Sequence, residues 1–575
     1  MSAENEEMWL RERISTTPRP AVLWLVGVVV LVVLELGRIA DGVVRAGEIF
    51  RAVLGLIAAV PQWVGRNVAA EVPGGLGLLF GNLAVVITAA LIALLAAPLF
   101  VRMLPGGSIA ERYDLGRTEE HGMAIDWMVV VGILLVGFAA LAYTPVGAVA
   151  DVLSRTLGQG MRTVGQLPTL TGRETIPNEG HRLPDGGWEG TFLGLSPAQA
   201  WVIRVAVIYG YAFVALAWLW VGYTTFRSHY RVADWTPRDD SINRLRRHWW
   251  GLFGLAVVFA FIVMAMWAPS LGPVDIQHNH YQPYQHEFTY LSEDGEVESI
   301  LHGSANLDTR SQGGASTVGI WSYDQYDRWA PLGTATNGAD LFTVLAFGAR
   351  TSLVIGLIAI GLGTTIALAL SLITAYYKGL IDVLTVVTSD AIISIPAFLF
   401  VLLISVLFQQ ADHPIAEVYD GGLLLALIFA AVYWPGLWRS IRGPSLQVAE
   451  GEWVDAARSY GQRPTTIMRK HMAPYVATYI LIYASLLLGG IIIATAALSF
   501  LGLGVTHPTP EWGRIVDQGR SYVGTSAWHV STVPGLMIVL VVTGFNALGD
   551  ALRDAIDPES TGGEAGEATA AGGGG

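Results

Sequence analysis

Three histidines fall within nine residues, His278, His280 and His286, and form the most ligand-like cluster in the chain. Imidazole suits zinc, copper and nickel. Their spacing fits no defined metal site, and a hydrated loop rich in Tyr and Gln would have the same composition. Gly194-Leu195-Ser196-Pro197-Ala198 faintly echoes the turn that exposes a nucleophilic serine. With no strand expected before it, Ser196-Pro197 is better explained as an N-cap followed by proline at the first helical position. Asp390 sits inside or near the end of an apolar run. An ionised Asp at mid-bilayer costs about 2.5–3.5 kcal/mol, so this residue serves a translocation path or helix contact, or else lies at a helix end in water. Glu35 and Arg204 raise the same question, with helix-end or bundle-facing structural roles expected. A P-loop needs Gly-x-x-x-x-Gly-Lys-Ser/Thr. The two lysines, Lys378 and Lys470, are followed by Gly379 and His471, so this polypeptide cannot hydrolyse ATP by that route. With no cysteine, thiolate metal sites, disulfides and cysteine nucleophiles are excluded.

A different kind of chemistry is suggested by Glu450 to Tyr475, a polar stretch between long apolar runs. Val448–Tyr460 has good helix formers. Trp453, Ala456, Ala457 and Tyr460 fall at i, i+3, i+4 and i+7, one helical face with small residues at its middle. Gly461 stands where a left-handed helix-ending residue is wanted. Pro464 suits the first turn of a second helix, which leads through Ile467, His471 and Pro474 into the next apolar run. A short helix, a hard turn and a second helix make a docking surface. An amphipathic connector lying on the membrane would show the same spacing.

The elements that position these residues follow from composition. The 575 residues are 53% hydrophobic and 14% charged, against about 25% charged in soluble domains. This is the composition of an all-α polytopic membrane protein. Runs long enough to span lie near 20–37, 76–101, 127–149, 198–224, 249–268, 350–377, 382–408, 421–438, 475–500 and 530–548, giving about ten transmembrane helices. Ile49–Val64 is shorter and is expected to be interfacial or re-entrant. Pro396 is expected to kink its span. Arginines concentrate in 225–248 and in 439–474, which places both on the cytoplasmic side. An even number of spans separates them, so the two assignments agree. Segments 150–197 and 269–340 then lie outside. The net charge of −13 argues against nucleic-acid binding. Adaptation to high salt and GC-rich coding bias both produce an acidic, lysine-poor chain. The N-terminus lacks the basic region of a signal peptide and is expected to be a retained anchor.

Asp455-Ala456-Ala457, then Gly461, Ile467, His471 and Pro474, resemble the "EAA" loop of ABC-importer permeases. Asp455 stands where that family usually has Glu. Pro331-Leu332-Gly333-Thr334, Gly348-Ala349-Arg350-Thr351-Ser352-Leu353, Asp390 with Pro396, Leu498–Gly504, Pro508–Gly513 and Leu548–Asp554 are similar, in order, to landmarks of the dipeptide/oligopeptide (and nickel) permeases, C-type subunit. One departure is Ala335–Asp340, which lacks two charged landmarks usual there.

The resemblance implies a type I permease core formed by the C-terminal six helices. It gives an N-terminal extension over 1–235 with about four helices, a first core helix over 236–268, an extracytoplasmic loop over 269–340, and a core over 341–558 whose coupling loop is 439–474. Residues 559–575 should be a disordered tail. It also implies a non-catalytic subunit in the cell membrane that forms a translocation path for peptides or similar small solutes. Trp453, Asp455, Ala456, Ala457, Tyr460, Gly461, Ile467, His471 and Pro474 would couple it to the ATPases. The implied partners are a second permease, two ABC ATPase subunits that carry the ATP and Mg, an extracytoplasmic substrate-binding protein and membrane lipid. A nickel importer of the same family is the alternative. A stand-alone secondary transporter or channel would call for paired intramembrane charges and inverted repeats, which the sequence does not display.

Overall fold

The structure is a computed structural model that describes residues 10–71, 76–101, 128–132, 158–231, 236–410 and 414–556. These residues fall into two compact units, one of Met1–Leu31 with Leu170–Gly575 and one of Val32–Thr169. Residues 170–231 fall in the same unit as the helices that follow them. The tail beyond 556 and most of the run 127–149 lie outside the described residues.

Apolar length dictates the main elements. They are α1 (Pro18–Leu34), α2 (Leu36–Glu71), α3 (Leu76–Val101), α4 (Pro197–His229), α5 (Pro237–Arg247), α6 (Trp249–Met266) and α7 (Leu341–Tyr377). Next come α8 (Gly379–Ser394), α9 (Ala397–Gln410), α10 (Gly422–Ala449), α11 (Glu452–Ser459), α12 (Pro464–Phe500, with a π turn at Met468–Met472), α13 (Trp512–Gly519) and α14 (His529–Ile556). Among the described residues six helices are long and apolar enough to cross a membrane, or up to eight if each of two bent pairs is one span. The run 382–408 is such a pair. It breaks at Pro396 into α8 and α9, bent by 81°, because proline cannot donate to the helix ladder and disfavours helical geometry in the residue before it. Residues 49–64 lie within the continuous helix α2.

The core six spans are α6, α7, the α8/α9 pair, α10, α12 and α14. α6 and α14 approach through small residues. A side chain added at Gly254 would meet the backbone of Gly544 and Leu548 at 2.6 Å, which is how membrane helices without a hydrophobic driving force gain close contact. Trp512, fully buried, fills a notch over Gly348, donates from Nε1 to Leu345 O at 2.8 Å, and meets Phe261 edge-on at 5.6 Å. Two motifs far apart in the chain thus form one joint.

Residues 170–196 and 269–340 add three two-stranded antiparallel sheets to this helical frame: β1 (His181–Arg182) with β2 (Trp188–Glu189), β3 (Glu287–Leu291) with β4 (Val297–Leu301), and β5 (Ser322–Tyr323) with β6 (Trp329–Ala330). Ser196 caps α4 in a capping box with Gln199, so the serine serves the helix and not a nucleophile. Arg204 is wholly buried and donates to Ile176 O (3.0 Å) and Gly272 O (2.8 Å). Arg173 donates to the carbonyls of Pro269, Gly272 and Val274. Trp201 reaches Leu271 O and Asn178 reaches Pro273 O. The chain leaving α6 is therefore held by residues 173–204. Glu35, also buried, pairs with Arg38 at 2.8 Å.

Alongside, α1 and α4 pack antiparallel. Trp24 and Trp218 each donate to the other's carbonyl at 3.1 Å, and each indole lies over the other helix's glycine, Gly222 and Gly27.

Candidate functional site

The polar stretch after α10 folds as its residues suggest. Glu450 closes α10 and Gly451 opens α11. Glu452 and Asp455 lie in the first turn of α11 and Arg458 in the last, matching the helix dipole. Gly461 has φ +70°. Its N–H donates to Arg458 O at 2.9 Å, and that of Gln462 to Ala457 O at 3.1 Å. This pair of bonds is a Schellman stop, which an L side chain with negative φ cannot form. Arg463 then caps a new helix with Pro464 in its first turn. His471 Nε2 meets Gln462 Oε1 at 3.0 Å across the turn, and Pro474 falls in the first turn after the π segment.

The packing divides the predicted face. Val454 and Ala457 point inward, where they join Ile467, Met472 and Val476, with Trp438, Ile441 and Ala449 of α10 and Leu372 of α7. Ala457, 5% exposed, is a spacer that lets α11 settle on this cluster. It does not share the outer face with Trp453, Ala456 and Tyr460. Those three and Asp455 face out: Trp453 is 47% and Tyr460 87% exposed. Trp453 leans on Tyr475, with ring centroids 5.5 Å apart. Asp455 reaches only Arg458, at 3.3 Å, and the Arg458 guanidinium lies 4.6 Å over the Tyr376 ring at the end of α7. A short stapled helix holding a Trp and a Tyr in the open has the make-up of an interface anchor.

Asp390 is in the fourth turn of α8 and forms an ion pair with Arg439 of α10. Sequence reasoning missed its neighbours. Arg442 clasps Asp382 through two bonds, at 2.9 and 2.5 Å, and Lys378 meets Glu450 at 2.8 Å. The acids in the apolar run were the signal, since charges there must find partners. Because α10 continues to Ala449, Arg439 and Arg442 lie inside a helix, not in a loop.

The histidines separate. His278 and His286 stack with centroids 4.1 Å apart, and His302 joins at 6.0 Å from His278. Burial, with Arg328 second, pushes the His302 imidazole down to about 3. His280 turns away to meet Pro508 O at 2.9 Å, and burial lowers it too. Among the described residues no group of three His, Cys, Asp or Glu could hold a metal ion.

Comparison with known proteins agrees with this geometry. Residues 333–561 match the family "Binding-protein-dependent transport system inner membrane component", and residues 236–288 match "N-terminal TM domain of oligopeptide transport permease C". The chain is 30% identical over 325 residues to the dipeptide transport system permease protein DppC of Alkalihalophilus pseudofirmus, covering 56% of this chain and 90% of that one. It is 32% identical over 248 residues to the glutathione transport system permease protein GsiD of Pectobacterium atrosepticum (41% and 78%), and 34% identical over 232 residues to GsiD of Escherichia coli (40% and 73%). With its ordered motifs and its apolar helices, this chain belongs to the peptide-type permeases of binding-protein-dependent ABC importers, multi-pass components of the inner membrane.

Proposed function

We propose that this chain is the translocating subunit of an ATP-driven importer of dipeptides, oligopeptides or similar small solutes. In this reading it pairs with a second permease and receives cargo from an extracytoplasmic binding protein. Two separate ATPases bind the ATP and Mg and drive it through α11. The observation that carries the reading is the outward pair Trp453 and Tyr460 on a helix fixed by the Gly461 stop. A ligand moves a two-state equilibrium only by binding one state better, so the ATPase cleft must grip α11 differently with and without nucleotide. The names of the dipeptide and glutathione relatives favour peptide cargo. The divergence of His280 from His278 and His286 gives no support to nickel handling by the outer loop.

The test is reconstitution of the affinity-purified complex into liposomes with its binding protein. Uptake of a labelled dipeptide that requires ATP on the ATPase side is expected. Flux independent of ATP, or purification without any ATPase, would instead mark a secondary transporter or channel. ATP-driven uptake of nickel without peptide would assign the alternative cargo.

A further inference from the structure

We propose that three ion pairs joining α8 and its cap Lys378 to α10 and its cap Glu450 are the linkage through which movement of α11 reaches the bent pair α8/α9. This rests on the reading of α11 as the ATPase-driven element. The pairs run antiparallel along the two helices: Lys378 with Glu450, Asp382 with Arg442, and Asp390 with Arg439. The first lies at the end of α10, one residue before the cap of α11. Asp390 lies twelve residues beyond Lys378 in sequence, about 18 Å along a helix. The pairs thus run from the start of α11 along α8 toward Pro396.

Each partner is built to move as a short rigid piece. Arg439 and Arg442 stand in Pro435-Gly436-Leu437-Trp438-Arg439-Ser440-Ile441-Arg442-Gly443-Pro444, with proline and glycine at both ends. Each proline removes one helix hydrogen bond and permits a bend. Trp438 and Ile441 bury the inner side of this segment while the arginines reach α8. α8 starts at a turn in which Lys378 and Gly379 both have positive φ, and it ends at the 81° bend. Only Thr385 and Ser389 of α8 are buried, while Leu380, Val383, Leu384, Val387 and Ile393 are exposed. Apolar packing therefore fastens α8 weakly to this chain, and the charges supply directional attachment. Breaking such a pair costs most at Asp382, whose side chain is 17% exposed, and least at the exposed Lys378–Glu450 pair. Arg458 over Tyr376 ties α11 to the same corner, two residues before Lys378.

The experiment uses the whole complex in liposomes and measures labelled dipeptide imported per ATP hydrolysed. Asp390→Arg and Arg439→Asp are made singly and together. Lys378→Glu and Glu450→Lys, at the exposed end where folding is not at risk, are treated alike. Each single reversal should lower the ratio by about tenfold, within the range seen at coupling positions, and each double should restore most of it. A merely structural defect would lower import and hydrolysis in proportion and leave the ratio unchanged. Wild-type import with single reversals that keep the normal ratio, or with doubles as poor as their singles, overturns the linkage alone. If the intramembrane variants do not assemble, the Lys378/Glu450 pair decides by the same criteria. Wild-type liposomes that import no dipeptide with ATP overturn the reading of α11 and the linkage with it.

Discussion

At the end of the bundle where α6 stops, the carbonyls of Pro269, Leu271, Gly272, Pro273 and Val274 all accept from side chains of residues 173–204. At the opposite end, α11 presents Tyr460 with most of its ring in the open. The backbone of residues 269–274 finds its donors within the chain, as a buried backbone must. The α11 end leaves Trp453 and Tyr460 exposed, as at a site of contact with a protein or a membrane surface. The contrast teaches where the chain is complete by itself and where it is one part of a machine.

The sharpest way to break this contrast is Gly461→Pro. Proline cannot adopt φ +70° and removes the N–H that bonds Arg458, a cost of about 3 kcal/mol or more. ATP-driven uptake should vanish, whereas Gly461→Asn, which tolerates the left-handed region, should keep most of it. Uptake by the proline variant at the wild-type rate would remove the stop from the account.

Arg204→Met probes the end where α6 stops. It strips Ile176 O of its donor and leaves Gly272 O to Arg173 alone, at about 1–3 kcal/mol for the buried group left unpaired. Thermal unfolding in detergent should fall clearly, and an unchanged midpoint would show that the carbonyls are held by something else. Tyr460→Ala should do the reverse, changing stability by no more than about 0.5 kcal/mol. ATPase affinity should weaken by about 2 kcal/mol, as at an interface hot spot, and titration of the ATPase onto the membrane complex measures it. A loss of stability without loss of affinity would exchange the roles assigned to the two ends.

The smallest expected effect is at Asp340, which caps α7 through Oδ1 while Oδ2 is buried and unpaired. Burial pushes this carboxyl up to about 7. A raised folded-state value means that the folded chain binds the proton more readily than the unfolded one, so stability falls as pH rises from about 4 to about 7. Asp340→Asn keeps the capping oxygen and should flatten that slope, so its unfolding midpoint should gain on wild type between roughly pH 4 and pH 7. Parallel slopes would exclude Asp340 as the titrating group.

Features set by local chemistry were legible in the sequence. The Gly461 stop, Pro464 at a helix start, the Ser196 cap and the break at Pro396 each depend on one or two residues and their backbone limits. The helical class and the core spans followed from apolar length. Features set by packing were not legible. Ala457 turns inward because α7, α10 and α12 place Leu372, Ile441 and Met472 beneath it. Gly443-Pro444 looks like the end of a helix, yet α10 runs through it to Ala449, which puts Arg439 and Arg442 opposite acids some fifty to sixty residues earlier in the chain. His302 joins His278 and His286 through a short helix that begins after β4, while the π turn Gln277–Tyr281 carries His280 elsewhere. The family resemblance stopped short of residues 1–235 and set them apart from the rest. It could not show that Arg173 and Arg204 bind the later part of them to the core.

Because the chain has no cysteine, Ala456→Cys puts one thiol on the outward face of α11. The most direct measurement is its cross-linking to the co-purified ATPase in native membranes, with and without ATP. A single cross-linked band whose yield changes with nucleotide is the result expected of a helix gripped by a motor. No capture in either state, or capture indifferent to ATP, would contradict the claim that energy enters this permease through α11.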